Sequence, residues 1–216
     1  YKVVYDQNSA FTLAKDNQLD VLPSIRPTSF LDMKDSKALT DKFNFFTPPQ
    51  FAYYYIGINT KNPILKDQKV RRALAHLVDR ASIIEVLFES MATITNGPIS
   101  PHKPYYNKDL KDIDFDTEAA KKLLEEAGWK DSNNNDILDK NIDGLTVELK
   151  LHYKYNQGNE IRKNIGLLLK EEAQKVGIEI ILEAREWSVF LTEANRRDFD
   201  LIASAWISSP GLDDMK

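Results

Sequence analysis

The sequence contains no cysteine. That excludes disulfides, thiolate metal sites and a cysteine nucleophile, and leaves the compartment open. Histidine is almost as scarce, with 3 among 216 residues. His76, His102 and His152 form no HExxH motif and no pair at helical metal-ligand spacing. Solvent exposure is the expected state of each. Only 8 glycines are present, and there is no P-loop, GxGxxG or GxSxG pattern. No apolar run reaches the roughly 18 residues that a membrane-crossing helix needs. Neither charge sign dominates: 29 Lys and Arg stand against 33 Asp and Glu, a formal net charge of −4. A duplex-binding surface is usually basic, so nucleic acid is not an expected partner. Methionine does not open the chain, and no signal peptide precedes the strand-like YKVVY at Tyr1–Tyr5. The expectation is a processed or excised piece of something longer.

What is present is ordinary globular composition, 42% hydrophobic and 29% charged. A chain of this length can bury a real core without staples. Along it, Ala10–Gln18 and Thr28–Leu39 are predicted as short helices, with a short apolar piece at Leu19–Leu22 stopped by Pro23. Pro48-Pro49 punctuates the chain, and FAYYYIGIN from Phe51 is aromatic and β-branched, hence a strand. Asp67–Ser90 carries apolar residues at spacings of three and four from Val70 to Phe88, which predicts one long helix. Met91–Asp114 is polar and proline-rich, a long loop. Asp116 is placed as an N-cap and Gly128 as the C′ glycine of a further helix. Leu145–Tyr153 alternates cleanly and predicts a strand, Asn159–Val176 a long amphipathic helix closed by Gly177, and Ile178–Ala184 another strand. Ser188–Arg196 is a short helix. Phe199–Ile207 is apolar on both faces and suits a central strand. Strands alternating with long helices imply an α/β fold.

Few constellations could carry chemistry. Asp198 and Asp200 flank Phe199 and would share a strand face; such a pair can do acid–base work, yet nothing else in the chain completes a hydrolytic site. The run Asp131–Asp139 resembles the start of a calcium loop, with Asp131, Asn133, Asn135 and Asp139 at positions 1, 3, 5 and 9. Its sixth position is Asp136 rather than glycine and its twelfth Ile142 rather than glutamate, so a solvated Asx-rich turn is the favoured reading over a metal site. Trp129 follows a helix C-cap and is expected to pack in the core. Trp187 stands at the start of a helix and Trp206 near the end of the apolar strand, where ligands gather in α/β sheets. Aromatics there either stack on a ligand or cap a core.

Six collinear segments resemble the extracytoplasmic solute-binding proteins of family 5, the oligopeptide- and dipeptide-binding receptors of ABC importers. They are KDNQLDV (15–21), TPPQFAYYYIGIN (47–59), DQKVRRALAHLVDRASI (67–83), FDTEAAKKLLEEAGW (115–129), GIEIILEAREWSVFL (177–191) and RDFDLIASAW (197–206). The resemblance implies a periplasmic-binding-protein-like lobe of type II, a mixed sheet flanked by helices. It divides the chain into a leading inter-lobe segment over 1–47 and a second, C-terminal ligand-binding lobe over 48–216. It also implies hinge closure of two lobes on a small solute, a short peptide above all, delivered to an ABC permease. No cofactor and no catalysis are expected. The lobe is expected to be a monomer at the extracytoplasmic face of a bacterial envelope, lipid-anchored in the full-length protein.

By the same resemblance Trp187 and Trp206 line the ligand cavity, and Tyr54 and Tyr55 lie on the strand that reaches towards it. Peptide receptors of the family carry an aspartate three residues after the tryptophan at 206, where it pairs with the peptide α-amino group. Here that position is Ser209, which cannot form the ion pair; Asp213 or Asp214 stands further along as a substitute. Basic residues that hold the peptide carboxylate in some members have no match at Ala194 and Ala203. A non-peptide solute, such as a sugar oligomer or a metal chelate, is therefore the alternative ligand. A hydrolase using Asp198 and Asp200, and a receptor feeding a membrane sensor, are the rival classes.

Overall fold

The computed structural model describes residues 4, 7–23, 25–49 and 52–207. The chain divides into two compact units, one of residues 1–50 and 84–93, the other of 51–83 and 94–216. The strand expected at Tyr1–Tyr5 falls, apart from Val4, outside the described residues.

The first unit is helical. Its elements are α1 (Gln7–Lys15), α2 (Pro27–Lys34) and α3 (Lys37–Thr40). The single helix expected over Thr28–Leu39 is two: α2 starts on Pro27, whose fixed φ suits a first turn, and stops at Asp35, and Ser36 is extended before α3. Ala14, Met33 and Leu39 form a small core with Phe11, Phe43 and Phe45 packed on it.

The second unit is built on β1 (Ala52–Ile58), β4 (Lys150–Asn156), β5 (Glu179–Arg185) and β6 (Leu201–Ile207), in the order β1-β6-β4-β5. β4 runs parallel to both neighbours, and β1 runs antiparallel to β6. The sheet is thus mixed, with β6 and β4 at its centre. Helices α7 (Glu160–Gln174) and α8 (Trp187–Arg196) make the crossovers β4-α7-β5 and β5-α8-β6. Asn159 caps α7 by accepting from Arg162 N at 3.0 Å, and Glu186 caps α8 by accepting from Ser188 N at 2.8 Å. Leu149, Leu151, Tyr153, Ile180 and Leu201 bury one face of the sheet region in a core with Leu169 and Ala173 of α7. Val70 and Leu74 of α4 (Gln68–His76), Leu124 of α6 (Thr117–Glu126) and Trp129 belong to the same core.

Two sequence expectations need correction. The helix expected over Asp67–Ser90 breaks after His76, and α5 (Arg80–Phe88) begins anew. Asp79 causes the break: its carboxylate accepts from Ser82 N at 3.0 Å and Ser82 Oγ at 2.6 Å, so it acts as a cap inside a periodic run. The strand expected over Leu145–Tyr153 changes partner at Leu149. Residues Leu145–Glu148 form β3, paired in a hairpin with β2 (Asp139–Ile142), and only from Lys150 does the chain join the main sheet. Asp143 and Gly144 turn the hairpin with φ of 53° and 87°, the two left-handed positions of a type I′ turn. His76, expected exposed, is half-buried with Nδ1 at 2.8 Å from the Asp114 carbonyl.

Candidate ligand-binding site

Because β4, β5 and β6 are parallel, their carboxyl ends share one end of the sheet, and antiparallel β1 starts there. Four aromatic residues named from the sequence stand at that end. Trp206 is 61% exposed and Trp187 51%, while Tyr54 and Tyr55 are 41% and 38% exposed. Large aromatics left in water at strand ends are what a stacking surface requires.

Register sets how they are presented. Trp206 pairs with Tyr53 and Ser204 with Tyr55, so Trp206, Tyr53 and Tyr55 project from one face. Tyr54 pairs with Ala205 and projects from the other. Tyr53, which the resemblance does not single out, has its ring 5.6 Å from that of Tyr55. Burial, and then the neighbouring Tyr55, push the Tyr53 phenol above its ordinary value, so it stays a neutral hydroxyl at physiological pH. Trp187 opens α8 and stacks on Phe190, ring centroids 5.7 Å apart and planes 16° apart. Hydrogen bonds from the Ser188 side chain and backbone hold the Glu186 carboxyl below its ordinary value, which fixes the cap that presents Trp187. Ser209 and Asp213 lie outside the described residues, as does Asp214.

Behind the aromatics sits a residue that the sequence did not single out. Arg162 of α7 donates from Nη1 to Asn156 Oδ1 at 2.7 Å, at the carboxyl end of β4, and its guanidinium lies over the Phe190 ring at 5.8 Å. On the primary sequence Arg162 is a first-turn cation of a polar helix end, and its contact with Phe190 is not local in sequence.

A cavity of about 440 Å³ opens elsewhere in this unit, and none of the four aromatics lines it. Its walls are charged and mutually paired. Lys154 Nζ meets Glu193 Oε2 at 3.1 Å and donates to the Asp198 carbonyl; Arg185 Nε meets the same Glu193 oxygen at 3.1 Å. Arg185 Nη2 also pairs with Glu183 Oε2, and Glu183 Oε1 lies 2.6 Å from His152 Nδ1. Asp200 is committed as well: Oδ1 accepts from Asn62 Nδ2 at 2.6 Å and Oδ2 from His152 N at 2.9 Å. The pair named for hydrolysis thus ties β6 to β4 and to the turn after β1.

The Asx-rich loop also spends its oxygens internally. Asp131 accepts from the backbone N–H groups of Asn135 and Asp136, at 3.2 Å and 3.0 Å, and Asp139 accepts from Ser132 N and Oγ. Asn133 accepts from Asn135 N at 3.1 Å, and Asn135 from Ile137 N at 3.0 Å. These are Asx turns closing on their own backbone. Among the described residues, no group of three or more His, Cys, Asp or Glu side chains is placed to hold a metal.

The sequence matches the family model of the bacterial extracellular solute-binding proteins, family 5 middle, over residues 1–215. The chain belongs to that family. It is 34% identical over 213 residues to the oligopeptide-binding protein AppA of Bacillus subtilis (strain 168), covering 95% of this chain and 37% of that protein. The solved structure of AppA in complex with a nonapeptide is similar with a TM-score of 0.76 and 33% identity, over 95% of this chain and 40% of that one. The dipeptide-binding protein of Escherichia coli (strain K12) is 24% identical over 214 residues, covering 99% of this chain and 37% of that protein. NikZ from Campylobacter jejuni, solved in complex with Ni(L-His), is similar with a TM-score of 0.75 and 25% identity, over 97% of this chain and 40% of that one. The family 5 chain described here therefore spans well under half the length of these relatives. Its expected fold class, a periplasmic-binding-protein-like α/β lobe with a mixed sheet flanked by helices, is borne out. Among the described residues, no helix is long and apolar enough to cross a membrane.

Proposed function

We propose that this chain is the ligand-binding lobe of an extracytoplasmic receptor for oligopeptides or dipeptides that serves an ABC importer. The observation that carries the reading is the exposed aromatic end of the sheet, where Trp187, Trp206, Tyr54 and Tyr55 stand in solvent at the strand termini. Burying one such ring against a ligand is worth about 1.5–3 kcal/mol. The family, and the likeness to an oligopeptide-binding protein solved with a nonapeptide, support peptides as the solute.

In this reading residues 48–216 are the clamp, and residues 1–47 lead in from the hinge. The remaining length of the relatives supplies the opposite lobe. Closure buries the solute and presents one compact surface to a membrane permease. An extended peptide is held through backbone hydrogen bonds, with loose pockets for side chains. The protein binds without turnover, and Asp198 and Asp200 serve the fold. The full-length receptor works at the outer face of the bacterial envelope, held by a lipid anchor.

A second ligand class is favoured by one feature. Ser209 follows Trp206 where an acidic partner for a peptide amine would stand, and NikZ was solved with Ni(L-His). Native mass spectrometry of the full-length protein, purified from its own envelope, tests both readings. A ladder of masses that fragment as short peptides is expected. A single non-peptide mass would replace the peptide reading with a changed ligand on the same fold.

A further inference from the structure

Helix α8 is held to the sheet at few points. Among the described residues of α8, Phe190 alone is buried. Glu186 caps the helix start, and Phe190 stacks on Trp187. The remaining hold is Glu193, whose carboxylate takes two cations. Arg185, the last residue of β5, brings Nε to 3.1 Å from Oε2, and Lys154 of β4 brings Nζ to 3.1 Å from the same oxygen. Lys154 is 7% exposed and pairs in register with Ile202 of β6, itself 6% exposed. An apolar side chain suits such a place, since apolar replacement of a buried ion pair is often neutral or stabilising. What the ion pair adds over an apolar contact is a fixed partner in a fixed direction.

The brace encloses the corner where Trp187 stands. Arg185 precedes the cap Glu186, and Glu193 lies in the second half of α8, so their ion pair closes a short stretch of chain around the β5–α8 corner. Lys154 ties the far side of that stretch to β4, one of the two central strands. With both sides held, the angle at which α8 leaves β5 is set. Trp187, 51% exposed and with little of its own surface packed, then keeps one place at the carboxyl end of the sheet. A ring held in place in the free protein has less freedom to lose when a ligand covers it. We propose that Glu193 is a positioning residue for the ligand site: braced by Arg185 and Lys154, it holds α8 so that Trp187 stands ready to cover the ligand. The proposal rests on the reading of the aromatic end as the ligand site.

The test is a double-mutant cycle in peptide affinity, read by calorimetry on the full-length protein with a pool of random pentapeptides. W187A is expected to weaken binding by at least about tenfold, and E193A by about fivefold. In E193A/W187A the second loss is expected to vanish, leaving the affinity within about twofold of W187A alone. A merely structural role would carry the full loss into the W187A background. That additive result overturns the positioning role, as does unchanged affinity in E193A, while the weakening by W187A keeps the site reading intact. Unchanged affinity in W187A removes the ring from the site and the positioning role with it. Absence of binding by wild type overturns the peptide reading, and the role of Glu193 falls with it. Should the melting curve show that E193A does not fold, K154M decides by the same cycle: it removes one arm of the brace and leaves an apolar chain in a buried place. A loss in K154M that disappears in the W187A background upholds the role; no loss, or one that persists there, removes it.

Discussion

Gly166 of α7 lies flat against the ring of Tyr153. A Cβ at that position would stand 2.5 Å from Cε1 and 2.8 Å from Cδ1 of the tyrosine. The ring cannot retreat, because Tyr153 is fully buried and its hydroxyl donates to the Arg162 carbonyl at 2.8 Å. The contact therefore sets how closely α7 approaches β4, and with it the height of Arg162 above the sheet. Overpacking of this kind costs about 1–3 kcal/mol, against the gain of about 1 kcal/mol from replacing a helical glycine with alanine. G166A is expected to lower stability by up to about 2 kcal/mol in chemical denaturation. Placed in a Y153L background, where the ring is gone, the same change is expected to cost less. Equal costs in both backgrounds would mean that the ring is not the obstacle.

Asp79 divides a run that the apolar periodicity alone would make one helix. D79A removes the acceptor for both Ser82 donors. The expected loss is about 1 kcal/mol, which for a chain of this size lowers Tm by about 2–4 °C. Hydrogen exchange should localise the weakening to the first turn of α5. Uniform protection throughout 79–84 in D79A would show that the cap does not hold this helix start.

Acid should loosen the start of α8. The Glu186 carboxyl is held below its ordinary value of 4.5 by hydrogen bonds from Ser188, side chain first and backbone second. A carboxyl depressed in the folded state adds stability that is fully present above its unfolded value and is lost as pH falls through the folded value. Stability is therefore expected to be level near neutrality and to decline below about pH 4.5, more steeply in wild type than in E186Q. Trp187 adjoins this cap, so its fluorescence follows the change. An identical acid profile in E186Q would remove Glu186 as a source of the dependence.

The chain alone should be a poor binder. It covers 37% of the length of its oligopeptide-binding relative, so the reading assigns it one wall of a two-walled site. If the free energy divides evenly between the walls, a ligand held by the full-length protein at about 1 μM is held here at about 1 mM. Calorimetry of the chain with a peptide that the full-length protein binds is expected to give little or no heat. Micromolar binding by the chain would contradict closure as the source of affinity.

Much of the fold could be read from the residues because local and tertiary preferences agree. Asp116 and Asn159 cap helices where their sequence positions suggest, and the alternation from Ile178 to Ala184 marks β5. The reading failed where two short signals lay inside a longer period. Asp79 with Ser82 is a helix start concealed in an apolar run, and Asp143-Gly144 is a hairpin turn just ahead of an alternating one. The change of pairing partner shows its effect at Leu145, exposed in β3, while Leu149 and Leu151 further along the same alternation are buried. Trp187 and Trp206 are named from the sequence through the family resemblance, since an aromatic at such a position suits a ligand or a core equally. The placement of Tyr53 and Arg162 beside them could not be read, since Tyr53 pairs with Trp206 and Arg162 meets Phe190, and neither contact is local in sequence.

The central claim is that the aromatic end of this sheet holds the ligand. Its most direct test is the peptide affinity of the full-length protein carrying W187A or W206A. Trp206 is 61% exposed, so W206A should barely move the melting temperature, while W187A, which also loses the stack on Phe190, is expected to lower it modestly; each truncation removes a ring that the ligand covers. A loss of about 1.5–3 kcal/mol is expected, or at least a tenfold weaker Kd. Unchanged affinity in both variants, with the fold intact, would place the ligand elsewhere.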